Sequence, residues 1–187
     1  MKFVQPIRDM ENIKSISEYL KEKNLRDYVM FSVGIYSGLR IQDILKLRVS
    51  DVRNKDYISI VEMKTNKSAK IRRFVINPHL KKILNEYIAD KKDSDVLFPS
   101  KQGENKPLKR AQAYNILNEA ARNFGIKEGI GTHTMRKTFG YFLYKQTGDI
   151  VLLKEIFNHS DIAVTLRYIG MIESEKNKAI NKLKFDD

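Results

Sequence analysis

Near the start of the chain, apolar residues recur at helical spacing: Ile13, Ile16, Tyr19 and Leu20 follow Asp9, whose carboxylate can accept from the free N–H groups of a first turn. A second helical stretch is predicted over 25–35, stopping at Ser37-Gly38, where glycine supplies a C-terminal stop. Leu39, Ile41, Ile44, Leu45 and Leu47 form the buried set of a short third helix. The period then changes. Residues 57–63 and 70–76 are β-branched and aromatic runs separated by the polar Thr65-Asn66-Lys67-Ser68, which predicts a β-hairpin. A further strand over 47–52 would make the sheet three-stranded. Pro78 sits at a helix start that carries Leu80, Ile83, Leu84, Tyr87 and Ile88 along one face. Residues 94–108, with Pro99, Gly103 and Pro107, read as a loop. Helical patterning resumes from Arg110 to near Gly125, and again over 133–144 with Thr132 as cap and Gly148 as stop. Asp149 caps a stretch with Val151, Leu152, Leu153, Ile156 and Phe157, and Asp161 opens a short helix towards Tyr168. Ile172, Ala179, Ile180, Leu183 and Phe185 punctuate a charged final stretch. The expected class is α+β: a mostly helical domain with a small antiparallel three-stranded sheet, spanning 1–187 as one unit with no internal repeat.

Charge narrows the function. Lys and Arg total 35 against 23 Asp and Glu, a formal charge of +12 on 187 residues. Such an excess favours a polyanionic partner, nucleic acid before an anionic membrane surface. No apolar run approaches the ~20 residues of a membrane span, and the N-terminus lacks the apolar stretch of a secretory leader. The absence of cysteine excludes disulfides, thiolate nucleophiles and cysteine-ligated zinc. His79, His133 and His159 lie too far apart in sequence to form a close-spaced metal pair. The expectation is a soluble basic protein of the cytoplasm, needing no metal.

Three short segments then stand out. Ser37-Gly38-Leu39-Arg40-Ile41-Gln42-Asp43 places an arginine just after a helix-breaking glycine, with an acid three positions on. Thr132-His133-Thr134-Met135-Arg136 sets His and Arg on one face of a first helical turn. In the third, which runs from Asn158 to Tyr168, His159 precedes Tyr168 by nine positions. Singly, each is what a core or a basic surface also contains. Their order and spacing together resemble the tyrosine recombinase (phage integrase) family, over nearly the whole chain. The resemblance implies catalytic roles for Arg40, Lys64, His133, Arg136, His159 and Tyr168, with Asp43 in support. Lys64 shares its hairpin with Lys67 and Lys70. The family's "LGH" stands here as Phe157-Asn158-His159, which keeps the histidine but changes the helix terminus. Members of the family usually carry a DNA-binding domain ahead of the catalytic one. This chain starts about where the catalytic domain would, so it reads as a cut form or a naturally short member.

The chemistry these groups suit can be stated without the family. A phosphodiester under attack gains negative charge on its non-bridging oxygens, which the planar forks of Arg40 and Arg136 would clamp. Tyr168 attached to phosphorus would store the bond energy covalently, with no nucleotide cofactor. Free tyrosine titrates near ~10, so a base, His133, must help remove its proton. Lys64 would protonate the leaving 5′-oxygen, and His159 would hydrogen-bond a non-bridging oxygen. Lys67, Lys70, Arg72 and Arg73 on the hairpin, with Lys101, Lys106, Lys109 and Arg110 around the loop, are the expected DNA backbone contacts. The resemblance implies site-specific cleavage and rejoining of double-stranded DNA for a mobile element, through a 3′-phosphotyrosyl intermediate. It implies self-association on DNA from dimer to tetramer, the tail 172–187 docking on a neighbouring protomer, and a place for an accessory DNA-bending protein. Two rivals stay open: a type IB topoisomerase with the same chemistry, and a non-catalytic DNA-binding module.

Overall fold

The computed structural model describes residues 4–63, 69–126, 130–171 and 180–183. Its elements run α1 (Met10–Lys23), α2 (Leu25–Ser37), α3 (Ile41–Ile44), β1 (Tyr57–Met63), β2 (Ala69–Val75), α4 (Pro78–Ile88), α5 (Arg110–Asn123), α6 (Thr134–Thr147), α7 (Ile150–Phe157) and α8 (Ile162–Ile169). The caps follow local chemistry. Asp9, Asn77, Asp149 and Asp161 each accept a backbone N–H in the first turn they precede. Gly38 and Gly148 close α2 and α6 in the left-handed conformation.

β1 and β2 form an antiparallel hairpin in the register Ile58↔Phe74, Ser59↔Arg73, Ile60↔Arg72. Alternation turns Ile58 and Phe74 into the core and leaves Tyr57, Val61, Ile71 and Val75 exposed on the outer face. Among the described residues the sheet has two strands, not three. The segment expected as a third strand instead closes a short 3₁₀ turn at Val49–Asp51, with the Asp51 carboxylate accepting from the Arg48 N–H. Its remaining backbone groups pair with the chain beyond α4: Val49 N–H donates to the Asp95 carbonyl and Leu97 N–H to the Leu47 carbonyl. Those bonds satisfy the backbone without a strand beside β1.

The buried apolar residues fall into two clusters. The larger joins α1–α5, the inner face of the hairpin and Met135 at the start of α6. The smaller consists of Leu153, Phe157, Ile169 and Met171, packed on by aromatic residues of α6 such as Phe139 and Tyr141. Helix α6 therefore carries α7 and α8 on one side and the main core on the other. The close fit on the α7–α8 side requires Gly140, where a Cβ would lie 2.7 Å from Phe157 and 2.8 Å from Ile169. The seam between the clusters holds the site.

Candidate active site

Each element around the seam contributes one or two groups. Arg40 is the residue before α3, and Asp43 lies within it, both half-buried. The turn of Gly38 aims its carbonyl at α6, where the Arg136 guanidinium donates to it through Nη1. Arg136 donates through Nη2 to the Phe157 carbonyl at 3.1 Å and lies 4.2 Å over the Phe157 ring. One buried guanidinium thus joins the main core to the α7–α8 unit.

His133 precedes α6 by one residue, so the helix starts later than the expected Thr132 cap. Thr134 closes the turn instead: its Oγ1 accepts from Gly131 N–H at 3.0 Å, and its own N–H donates to the Gly131 carbonyl. His133 Nδ1 lies 3.3 Å from the Tyr168 hydroxyl. Tyr168, on α8, packs edge-on against Phe157 and His159, with ring centroids 5.4 Å and 5.3 Å away. His159 Nδ1 lies 3.0 Å from the buried Thr165 hydroxyl, one helical turn before Tyr168.

Asn158 explains how the chain keeps this histidine in place without glycine. It adopts the left-handed conformation at φ 55°, and the N–H groups of Asn158 and His159 donate to the Glu155 and Lys154 carbonyls. Asparagine tolerates that conformation better than other residues with a Cβ. The departure in sequence therefore leaves the helix terminus a left-handed cap.

The electrostatics are those of a cluster of cations around one phenol. Burial raises the Tyr168 phenol above its ordinary value, while Arg136 and Arg40 pull it down. Burial lowers Arg136 to about 10, with Arg40 and Arg72 pushing the same way and Tyr168 and Asp43 opposing. His133 is lowered by burial and then by Arg110, Lys137, Arg136 and Arg40. His159 is lowered by burial, Arg136 and Arg40. These effects favour the neutral imidazoles, and the neutral form of His133 can accept the phenol proton. Mutual repulsion among the guanidinium groups is relieved by an arriving anion.

Of the expected catalytic residues, the structure brings Arg40, His133, Arg136, His159 and Tyr168 together, with Asp43 beside them. Lys64, like Lys67, lies outside the described residues. The expected DNA contacts divide. Lys70, Arg73, Lys101, Lys106, Lys109 and Arg110 are exposed. Arg72 also reaches the site: strand alternation places it on the inner face, where its guanidinium donates to the Ile156 carbonyl and lies 5.1 Å over Phe74. Its alternation with Arg73 was the available signal. Arg110, at the start of α5, acts on His133 as well as facing solvent. Thr165 and Lys137 were missed. The buried Lys137 Nζ donates to the Val4 carbonyl at 2.8 Å and lies 5.0 Å over the Tyr168 ring. Thr165 lies three positions before Tyr168, a helical spacing that could have flagged it.

The profile of the phage integrase family matches residues 8–174. The chain belongs to the phage integrase family. Among curated relatives, the probable integrase/recombinase YoeC of Bacillus subtilis (strain 168) is 49% identical over 179 residues, covering 96% of each chain. A tyrosine recombinase of Pseudothermotoga lettingae is 31% identical over 86% of this chain and 55% of its own. The integrase chain thus spans nearly all of the first relative and little more than half of the second. The fold is shared with a crystal structure of XerA recombinase: TM-score 0.74 at 20% identity, over 98% of this chain and 68% of that one. It is also shared with XerH site-specific recombinase bound to palindromic difH substrate: TM-score 0.67 at 16% identity, over 96% of this chain and 54% of that one. These matches favour the recombinase expectation over its rivals. Among the described residues, no helix is long and apolar enough to cross a membrane.

Proposed function

We propose that this integrase-family chain cleaves and rejoins double-stranded DNA at specific sites through a 3′-phosphotyrosyl intermediate. The observation that carries the reading is the Tyr168 hydroxyl, 3.3 Å from His133 Nδ1 and within the field of Arg136 and Arg40. Tyr168 Oη attacks the scissile phosphorus as its proton passes to His133 Nδ1. The P–O5′ bond breaks, and the 5′-oxygen leaves with a proton from Lys64. Arg40 and Arg136 hold the non-bridging oxygens, where a fork of donors in a partly dry site stabilises developing charge. His159, held with Nδ1 3.0 Å from the Thr165 hydroxyl, is placed to hydrogen-bond a non-bridging oxygen. Asp43 supports the charge of Arg136. Rejoining runs the same steps backwards, with the 5′-hydroxyl as nucleophile.

The partner is double-stranded DNA, as the net charge of +12 favours. Recombination exchanges four strands, so protomers assemble on DNA from dimer to tetramer, each cutting one strand; the tail expected to dock on a neighbour lies outside the described residues at 172–179 and 184–187. An accessory DNA-bending protein would help bring two sites together. The reaction belongs to integration or excision of a mobile element in a bacterial cytoplasm. The test is covalent capture on nicked suicide duplexes drawn from a randomised-site library, read by denaturing electrophoresis. Wild type forms an adduct, whereas Tyr168→Phe binds the same duplex and forms none. An adduct surviving in Tyr168→Phe would move the nucleophile elsewhere, with Tyr141 and Tyr144 next to try.

A further inference from the structure

Lys137 is a buried lysine immediately after Arg136, and the reaction as written does not use it. A charged ammonium in such a place needs partners, and the Val4 carbonyl and the Tyr168 ring are among them. At 2.8 Å it donates to the Val4 carbonyl, and at 5.0 Å it faces the Tyr168 ring. The carbonyl is not a loose anchor. The N-terminal strap that carries it is fixed to α6 by Ile7 N–H donating to Thr138 Oγ1 at 2.9 Å. It is also fixed to the end of α8 by Arg8 donating to the Gly170 carbonyl at 3.0 Å, two residues beyond Tyr168. The strap, the ammonium and the tyrosine ring form one stack against the start of α6.

We propose that Lys137 is a positioning residue for Tyr168: braced by the Val4 carbonyl, its ammonium holds the face of the ring and favours the phenolate over the phenol. This rests on the reading of Tyr168 as nucleophile. The physical cause is that a ring gains electron density when its hydroxyl ionises, so a cation over its face binds the phenolate form more strongly. Other charged and titratable groups face the ring too: Arg40 from the start of α3, His133 and Arg136 from α6, and His159 from the α7–α8 turn. The inference is therefore an increment set by Lys137 within that field. Burial lowers the Lys137 amine from its ordinary value, and the Val4 carbonyl and the Tyr168 ring both favour its charged form.

The experiment follows the phenol itself rather than turnover. In full-length protein labelled with [13Cζ]tyrosine, the Tyr168 signal is the one missing from Tyr168→Phe. Its titration midpoint should rise by about one pH unit in Lys137→Met and return towards wild type in Lys137→Arg, which keeps the charge. Cleavage at pH 7.5 should fall by about tenfold in Lys137→Met, with unchanged DNA affinity, and recover as the pH rises. An unmoved midpoint in Lys137→Met, or one raised equally in Lys137→Arg, overturns the proposal. Should Lys137→Met fail to fold, [15Nζ]lysine labelling of wild type and Tyr168→Phe decides. The Lys137 signal must step at the Tyr168 midpoint in wild type and lose that step in the variant; no step overturns the proposal. These titrations do not depend on cleavage, so a covalent adduct surviving in Tyr168→Phe would sink the nucleophile reading separately.

Discussion

Arg136 is the residue at which structure and chemistry cannot be separated. Its guanidinium donates to Gly38 and Phe157 carbonyls, and the same fork faces Tyr168. Lysine supplies a point charge and cannot span two carbonyls and a phosphate. Arg136→Lys should therefore cut the rate of adduct formation by about 10²–10³-fold, the loss typical of one oxyanion donor. It should also lower stability by about 1–3 kcal/mol, because a buried acceptor loses its partner. Urea unfolding and suicide-duplex cleavage measure the two separately, and a variant that cleaves at the wild-type rate would disprove the clamp. The histidines give a second prediction at this scale. His133 and His159 both lie below the ordinary imidazole value of 6.5 in the fold, so the unfolded chain binds more protons as pH falls. Their contribution is fully present above the unfolded value and is lost as pH drops through 6.5 towards the depressed folded values. The urea midpoint should fall between pH 7.5 and 5.5, and His133→Asn with His159→Asn should flatten that fall. An equally steep pH dependence in the double variant would assign it to other groups.

Helix ends were legible in the sequence because a cap is local. Asp9, Pro78, Asp149, Asp161, Gly38 and Gly148 act within a turn of themselves, and each stands at the expected boundary. The strand expected over 47–52 failed for the opposite reason. Its backbone partners are Asp93, Asp95 and Leu97, more than forty positions away, and alternation alone does not say which chain a segment pairs with. The same limit hid Lys137, whose partner Val4 is 133 positions away, whereas Arg40, His133, Arg136, His159 and Tyr168 were legible as an ordered set. The closeness of α6 to the α7–α8 unit is likewise invisible in a lone Gly140. Adding a methyl there would press on Phe157 and Ile169, two side chains of the small cluster that carries Tyr168. Gly140→Ala should destabilise the protein by about 1–3 kcal/mol through overpacking. It should slow cleavage more than it weakens DNA binding, because the displaced element bears Tyr168, the proposed nucleophile. Thermal unfolding, binding and cleavage on one preparation test this, and a fully active variant would mean that the seam tolerates the shift.

Across the whole molecule, the excess of cations should govern how DNA is held before any chemistry. Lys101, Lys106, Lys109 and Arg110 lie exposed along the loop and the start of α5, while Lys70 and Arg73 are exposed on the hairpin. These are separate elements flanking the seam, so a duplex laid across it would meet cations from both. Contacts to phosphate release condensed counterions, and each contributes about 0.9 to the log–log salt slope. With about five phosphates neutralised, the slope should lie near −4 to −5, and raising salt from ~50 to ~150 mM should weaken binding by about 10²-fold. Lys106→Gln with Lys109→Gln should reduce the slope by about 2 and weaken random and selected duplexes alike, since phosphate contacts carry no sequence information. Fluorescence anisotropy across a salt series measures both quantities. A flat salt response would remove the basic face as the DNA surface. A double variant that lost affinity for selected duplexes alone would turn these lysines from phosphate anchors into readers of base edges.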